Sequence, residues 1–199
     1  MATNLSSDKG VQLLFNAVST VLTLGVLIYL FGGISGAHFN PLVTIGEVLG
    51  KRLSINSGIL YLFAQFAGGI CGVILANLMF ELPAINSSHH SRQGAPLLLG
   101  EVIATAGLLL IIELLRIQGR ASSAPILVSA WIGSAYLFTS STSFANPSVT
   151  FSRMWSDSFS GISLNSGMKF VAAQICGAII GLTLASLFNN SRTTLRNGI

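Results

Sequence analysis

The chain is predicted to be an all-α membrane protein, and three observations carry that prediction. Its 199 residues hold only ten basic and six acidic side chains against 51% hydrophobic residues, whereas an ordinary soluble domain carries roughly 25% charge. The mean hydropathy is +0.74. Uncharged stretches run over 11–34, 53–80, 121–152 and 170–191, and a fifth apolar segment, 95–115, is interrupted only by Glu101 and Glu113. Each is long enough for the roughly 20 residues a helix needs to cross about 30 Å of hydrocarbon. Five such segments in so short a chain leave too little polar surface to cover a soluble core.

Helices are expected near 11–33, 57–80, 96–115, 123–140 and 168–188. The first is not a cleavable signal peptide, being too long and lacking a charged start followed by a small-residue cleavage site. Cys71 and Cys176 fall inside helices and read as reduced packing residues. The sequence has no metal-ligand spacing, phosphate loop or nucleophile elbow, so neither an enzyme nor a cofactor is indicated. The net charge of +4 bears on membrane orientation rather than on nucleic acid. If the spans alternate, Lys9, Arg92, Arg153 and Lys169 lie on one side, and Lys51, Arg52, Arg116, Arg120, Arg192 and Arg196 on the other. The larger basic count makes the second side cytoplasmic, with the N-terminus outside and the C-terminus inside.

The stretch 121–152 is too long for one ordinary span and too short for two with a turn. A full helix followed by a loop that dips back into the protein fits it. In "SFANPSVT", Asn146 would be an N-cap and Pro147 the first helical residue, where the missing proline N–H costs nothing. Asn40 and Pro41 repeat the arrangement. Taken singly, each Asn-Pro also fits an ordinary cap outside the membrane; as a matched pair they point to two re-entrant half-helices. Such backbone is tolerated at membrane depth only where it is buried in protein or lines a water-filled cavity. Half-helix N-termini aimed at the bilayer centre would place positive potential and two Asn donors there, which suits small neutral molecules over cations. The duplication extends to "AQFAGGICG" and "AQICGAIIG", matching Gln65, Gly68 and Gly72 to Gln174, Gly177 and Gly181. Repeats of this kind occur as inverted pairs in transporters and channels.

With "ISGAHFNPLVT", "AQFAGGICG", "GEVIATAGLLLIIE" and "FANPSVTFSR", the chain resembles the aquaporin and glycerol-facilitator family, the major intrinsic proteins, over nearly its whole length. The resemblance implies an aquaporin-like inverted repeat in one transmembrane domain over 1–199, with an incomplete first repeat at 11–80 and a second at 96–188. It implies five spanning helices and two re-entrant half-helices here, against six and two in the family. It further implies passive conduction of water or small neutral solutes such as glycerol, multi-pass placement in a cell membrane, expected to be a bacterial inner membrane, and homotetramers of complete subunits. In the family each repeat opens with a helix whose Glu braces the half-helix loops. Glu101 matches the second of these, and the 106-residue offset between the Asn-Pro motifs puts its partner before Met1. An N-terminally truncated product is therefore expected, with a working five-span channel as the alternative.

The implied pore residues are Asn40, Pro41, Asn146 and Pro147, with loop carbonyls of 36–39 and 143–145 lining the path. Counting from the motifs places the selectivity constriction at Thr20, Ser134, Ser143 and Val149, where Val149 stands in place of the family's Arg. That set holds no aromatic or cationic side chain, which implies a wider and less polarised opening. Arg153, one helical turn further, either supplies the cation or faces the lipid or subunit boundary. His38 is either a pore residue or a buried prop, Glu101 a loop-supporting acceptor, and Glu113 an interfacial residue. Two other functions stay open: a non-conducting channel fragment, and an ion-coupled secondary transporter using Glu101 as its coupling group.

Overall fold

The computed structural model describes residues 1–197, with side-chain environments for residues 1–189; the side chains of Arg192 and Arg196 lie outside the described residues. The order is α1 (Ala2–Leu5), α2 (Lys9–Ser35), α3 (Pro41–Leu49), α4 (Ile55–Met79), α5 (Ala95–Ile117), a 3₁₀ turn at Ala121–Ser123, α6 (Ala124–Phe138), α7 (Pro147–Arg153) and α8 (Leu164–Asn197). Five of these, α2, α4, α5, α6 with its leading 3₁₀ turn, and α8, are long and apolar enough to cross a membrane. They coincide with the five expected segments. The last begins four residues earlier than expected, because its polar first turn is satisfied locally: Ser163 Oγ donates to Ser166 Oγ, which accepts the Arg92 N–H at 3.0 Å.

Local chemistry sets the ends. Asp8 caps α2 by accepting from Val11 N at 2.9 Å, and Ser54 caps α4 by accepting from Ser57 N at 3.1 Å. The α2 helix stops at Gly36, whose φ of 72° is readily open only to a residue without a Cβ. Asn40 and Asn146 cap α3 and α7, each followed by Pro in the first turn.

Packing is uneven. The α5 and α8 helices meet most closely, since a Cβ at Gly177 or Gly181 would strike the backbone carbonyl of Val102 or Ala106. The α2 helix packs on α6, where a Cβ at Gly133 would strike Val21. By contrast α4 buries only Gly58 and Asn77, and α2 only Gln12 and Ala17. Their apolar side chains, among them Leu22, Leu60 and Phe63, face outward. The short helices join the two halves: α3 packs on α4, α7 packs on both α4 and α8, and α3 touches α7 and α8 more lightly. These helix-pair contacts are consistent with an inverted-repeat topology.

Candidate functional site

The two Asn-Pro loops meet inside the bundle. Asn40 Oδ1 accepts from Leu42 N at 3.0 Å, which closes the α3 cap, and its Nδ2 donates to Ala145 O at 2.7 Å. Asn146 Oδ1 accepts from Ser148 N at 3.0 Å, and its Nδ2 donates to Phe39 O at 2.8 Å. Each amide therefore caps its own helix and clasps the carbonyl just before the other Asn. The chain is bent into place by consecutive left-handed residues at corresponding positions, Gly36 and Ala37 (φ 72° and 52°) and Thr142 and Ser143 (φ 63° and 49°). Left-handed backbone costs a non-glycine residue about 1 kcal/mol or more. Three of these four residues carry a Cβ, so the surrounding bonds must hold the loops in this shape.

The bonds that do so differ between the loops. Glu101, fully buried on α5, accepts from Phe144 N and Ala145 N at 2.9 Å each and from Gln174 Nε2 at 2.6 Å. Gln174 also donates to Thr150 Oγ1 at 2.8 Å. In the first half Gln65 Nε2 donates to Thr44 Oγ1 at 2.8 Å and to the His38 carbonyl. No carboxylate among the described residues reaches that loop, and the Phe39 N–H turns back to Ala37 O at 2.9 Å. Thr44 and Thr150 escaped the sequence reading, although both stand four residues after their Asn. His38 packs its ring 5.4 Å from that of Tyr61, with Nδ1 buried and unpartnered.

Both Asn residues, His38, Phe39, Ser143 and Ala145 line a cavity of about 740 Å³ that runs along the bundle. One end carries Glu47 and Arg116. There Arg52 bridges Glu47 and Glu113, and Arg116 closes on Glu113, giving an alternating four-charge chain that ties α3 to α5. Glu113 is thus held between two guanidiniums.

The opposite end holds Thr20, Tyr136, Val149 and Arg153. Ser134 does not belong to this wall: it is exposed on the far side of α6, while Val128, Ile132 and Tyr136 face the cavity at four-residue intervals. The count failed because eight non-helical residues separate Phe138 from Pro147, so counting back from Asn146 does not preserve helical phase. The expectation of a wall without aromatic or cationic groups is corrected as well. Phe144 lines it, Tyr136 lines it, and Arg153 donates from Nη2 to the Tyr136 hydroxyl at 3.0 Å. Behind Phe144 lies Arg92, whose guanidinium is pushed down to about 10 by burial and then by the neighbouring Arg153 charge.

Two polar loops clasped across a cavity that follows the axis of an all-helical membrane bundle define a channel. A model of the major intrinsic protein family matches residues 1–144. The chain is 41% identical over 184 residues to the aquaglyceroporin AqpS of Rhizobium meliloti (strain 1021), covering 92% of this chain and 78% of that protein. It is 41% identical over 69 residues to the aquaporin PIP2-1 of Arabidopsis thaliana and 45% over 58 residues to a PIP-type aquaporin of Atriplex canescens, about a fifth of each plant protein. The chain belongs to the major intrinsic protein family and is a multi-pass passive channel for water or small solutes.

Proposed function

We propose that the chain conducts water together with small neutral solutes such as glycerol, through a single aquaporin-like domain over 1–199 in which α3 and α7 are re-entrant half-helices. The observation that carries this reading is the reciprocal clasp of Asn40 and Asn146 in the wall of the 740 Å³ cavity. One N–H of each amide is spent on the clasp and the oxygen on the helix cap, leaving one N–H per Asn for a solute oxygen. Pro41 and Pro147 fix the entry of the two half-helices, Glu101 holds the second loop, and the His38 ring props the first. Thr20, Ser143 and Val149 shape the outer constriction, and Val149 leaves it wide enough for a polyol. The Arg153 end faces outward and the Glu47 end inward, in a bacterial inner membrane, with four copies assembling side by side as partners.

The test is stopped-flow light scattering on proteoliposomes of the full chain. Water and glycerol permeability above that of empty vesicles is expected, with flux in both directions and no dependence on a proton gradient. Permeability equal to empty vesicles for both solutes would make the chain a non-conducting assembly. Uptake that collapses with the gradient would make it a coupled transporter.

A further inference from the structure

At the outer end of the cavity two guanidiniums approach one ring, and their circumstances differ. Arg92 stands 5.1 Å and Arg153 4.4 Å from the centre of Phe144, near enough for cation–π attraction. Arg92 spends its donors on the chain: Nε on Gly161 O at 3.0 Å, Nη2 on Phe159 O at 3.0 Å and Nη1 on Thr142 Oγ1 at 3.5 Å. It does not line the cavity and acts as a brace for the loops. Arg153 lines the cavity and has one side-chain acceptor, the Tyr136 hydroxyl. Among the described residues no carboxylate pairs with it. A guanidinium carries five N–H groups, and apart from the one given to Tyr136 they make no hydrogen bond within the described residues.

The contact with Tyr136 has a direction. Thr20 Oγ1 donates its hydrogen to Asn16 O at 2.8 Å, so in its 3.4 Å contact with Tyr136 it is the acceptor. Tyr136 therefore gives its proton to Thr20 and can only accept from Arg153. The resulting one-way chain crosses from α7 to α6 to α2 and ends on a backbone carbonyl. With the Phe144 ring beneath it and this chain at its edge, the Arg153 guanidinium is held in one place while most of its donors stay unspent. The buried, unpartnered Ser143 hydroxyl lies on the same cavity wall.

We infer that Arg153 is the cationic specificity determinant of the outer constriction, placed by Tyr136 and Phe144 one helical turn beyond Val149, where it donates to acceptor oxygens of a neutral solute and turns cations away. The inference rests on the channel reading. It separates two properties that one side chain beside the Asn-Pro motif could otherwise set together: Val149 sets the width of the opening, and Arg153 sets its charge. A solute with two or more hydroxyl oxygens, able to accept from more than one Arg153 N–H in the same passage, is the class that fits.

The test uses the full chain in liposomes, measuring water and glycerol flux by light scattering and potassium and proton leak with ion-sensitive dyes. Arg153→Met should raise the ratio of cation leak to water permeability by about tenfold or more, since a fixed charge at a narrow, partly dehydrated opening acts at high effective strength. Arg153→Lys, which keeps the charge and loses the planar fork, should restore cation exclusion while lowering the glycerol-to-water ratio by about threefold. Tyr136→Phe keeps the ring and removes the tether, and should raise the cation ratio by about threefold. It reads the same property should Arg153→Met fail to insert. A conducting protein whose ion-to-water ratio is unchanged in Arg153→Met, or in Tyr136→Phe where Met does not insert, overturns this inference alone. A wild-type chain with no water flux overturns it together with the channel reading.

Discussion

Removing the Glu101 carboxylate should strand three buried donors at once. Phe144 N, Ala145 N and Gln174 Nε2 all donate to it, and Glu101, Ala145 and Gln174 are fully buried. Hydrogen bonds between membrane helices average only about 0.6 kcal/mol when their partners find substitutes. Here the two loop N–H groups have none, because Ala145 is left-handed and its own carbonyl is committed to the Asn40 clasp. Each orphaned buried donor costs about 1–3 kcal/mol. Orphaning the two loop N–H groups in Glu101→Ala should therefore cost roughly 2–6 kcal/mol, a large share of the 5–15 kcal/mol that folded proteins typically possess. Glu101→Gln keeps one acceptor oxygen but turns an NH₂ toward an N–H, so it should lose about half as much. Unfolding in micelles of increasing SDS content, followed by Trp131 and Trp155 fluorescence, measures the loss, and proteoliposome water flux reports the shape of the loop. A Glu101→Ala protein within about 1 kcal/mol of wild type, conducting normally, would refute the assignment of Glu101 as the loop's anchor.

The matched glycines should behave oppositely. Gly181→Ala should cost about 2 kcal/mol or more, because its Cβ meets the unyielding Ala106 carbonyl, whereas Gly72→Ala, with nothing within 4 Å, should be neutral or stabilising in the same titration. Asp157 accepts from His89 N at 3.0 Å, and this bond to the exposed carboxylate, joined by the His89 side chain, holds it below its ordinary value of 3.8. A carboxylate depressed by folding stabilises above its unfolded value and loses that contribution as pH falls through the lower folded value. The difference in loop hydrogen exchange between wild type and Asp157→Asn should thus persist from neutral pH down to 3.8 and vanish below it; a difference already gone at neutral pH would contradict the contact. Val149→Arg should narrow the opening and lower the glycerol-to-water permeability ratio by about threefold or more; an unchanged ratio would remove Val149 from the constriction.

How much of this was legible in the sequence depended on whether the signal was local. The helix spans follow from hydropathy alone, and the caps at Asn40 and Asn146 follow from an Asn-Pro pair ahead of an apolar run, because capping is decided within four residues. Gln65 and Gln174 stood out as repeated letters, yet their work, reaching Thr44 and Thr150, is a contact across more than twenty residues that no local pattern encodes. Ser134 was misplaced for a related reason: residue counts keep register inside a helix and lose it through the bent, non-helical 139–146 segment. Arg153 stood undecided between pore and boundary, since only the position of Tyr136 on the neighbouring helix shows where its side chain goes.

The two clasping amides have the same chemistry and unequal duties. The second loop is anchored twice, by Asn40 and by the Glu101 carboxylate, whereas the first relies on Asn146, on Gln65 and on a tight turn of its own backbone. Errors at the two positions are therefore not interchangeable. Losing the Asn40 amide takes one of two independent moorings from its partner loop, which a redundant support can absorb. Losing the Asn146 amide releases the Phe39 carbonyl and leaves the first loop on the Gln65 amide and its own backbone turn. Among the described residues the matched loops are thus held by different means, one by an amide and a carboxylate, the other by two amides and a backbone turn.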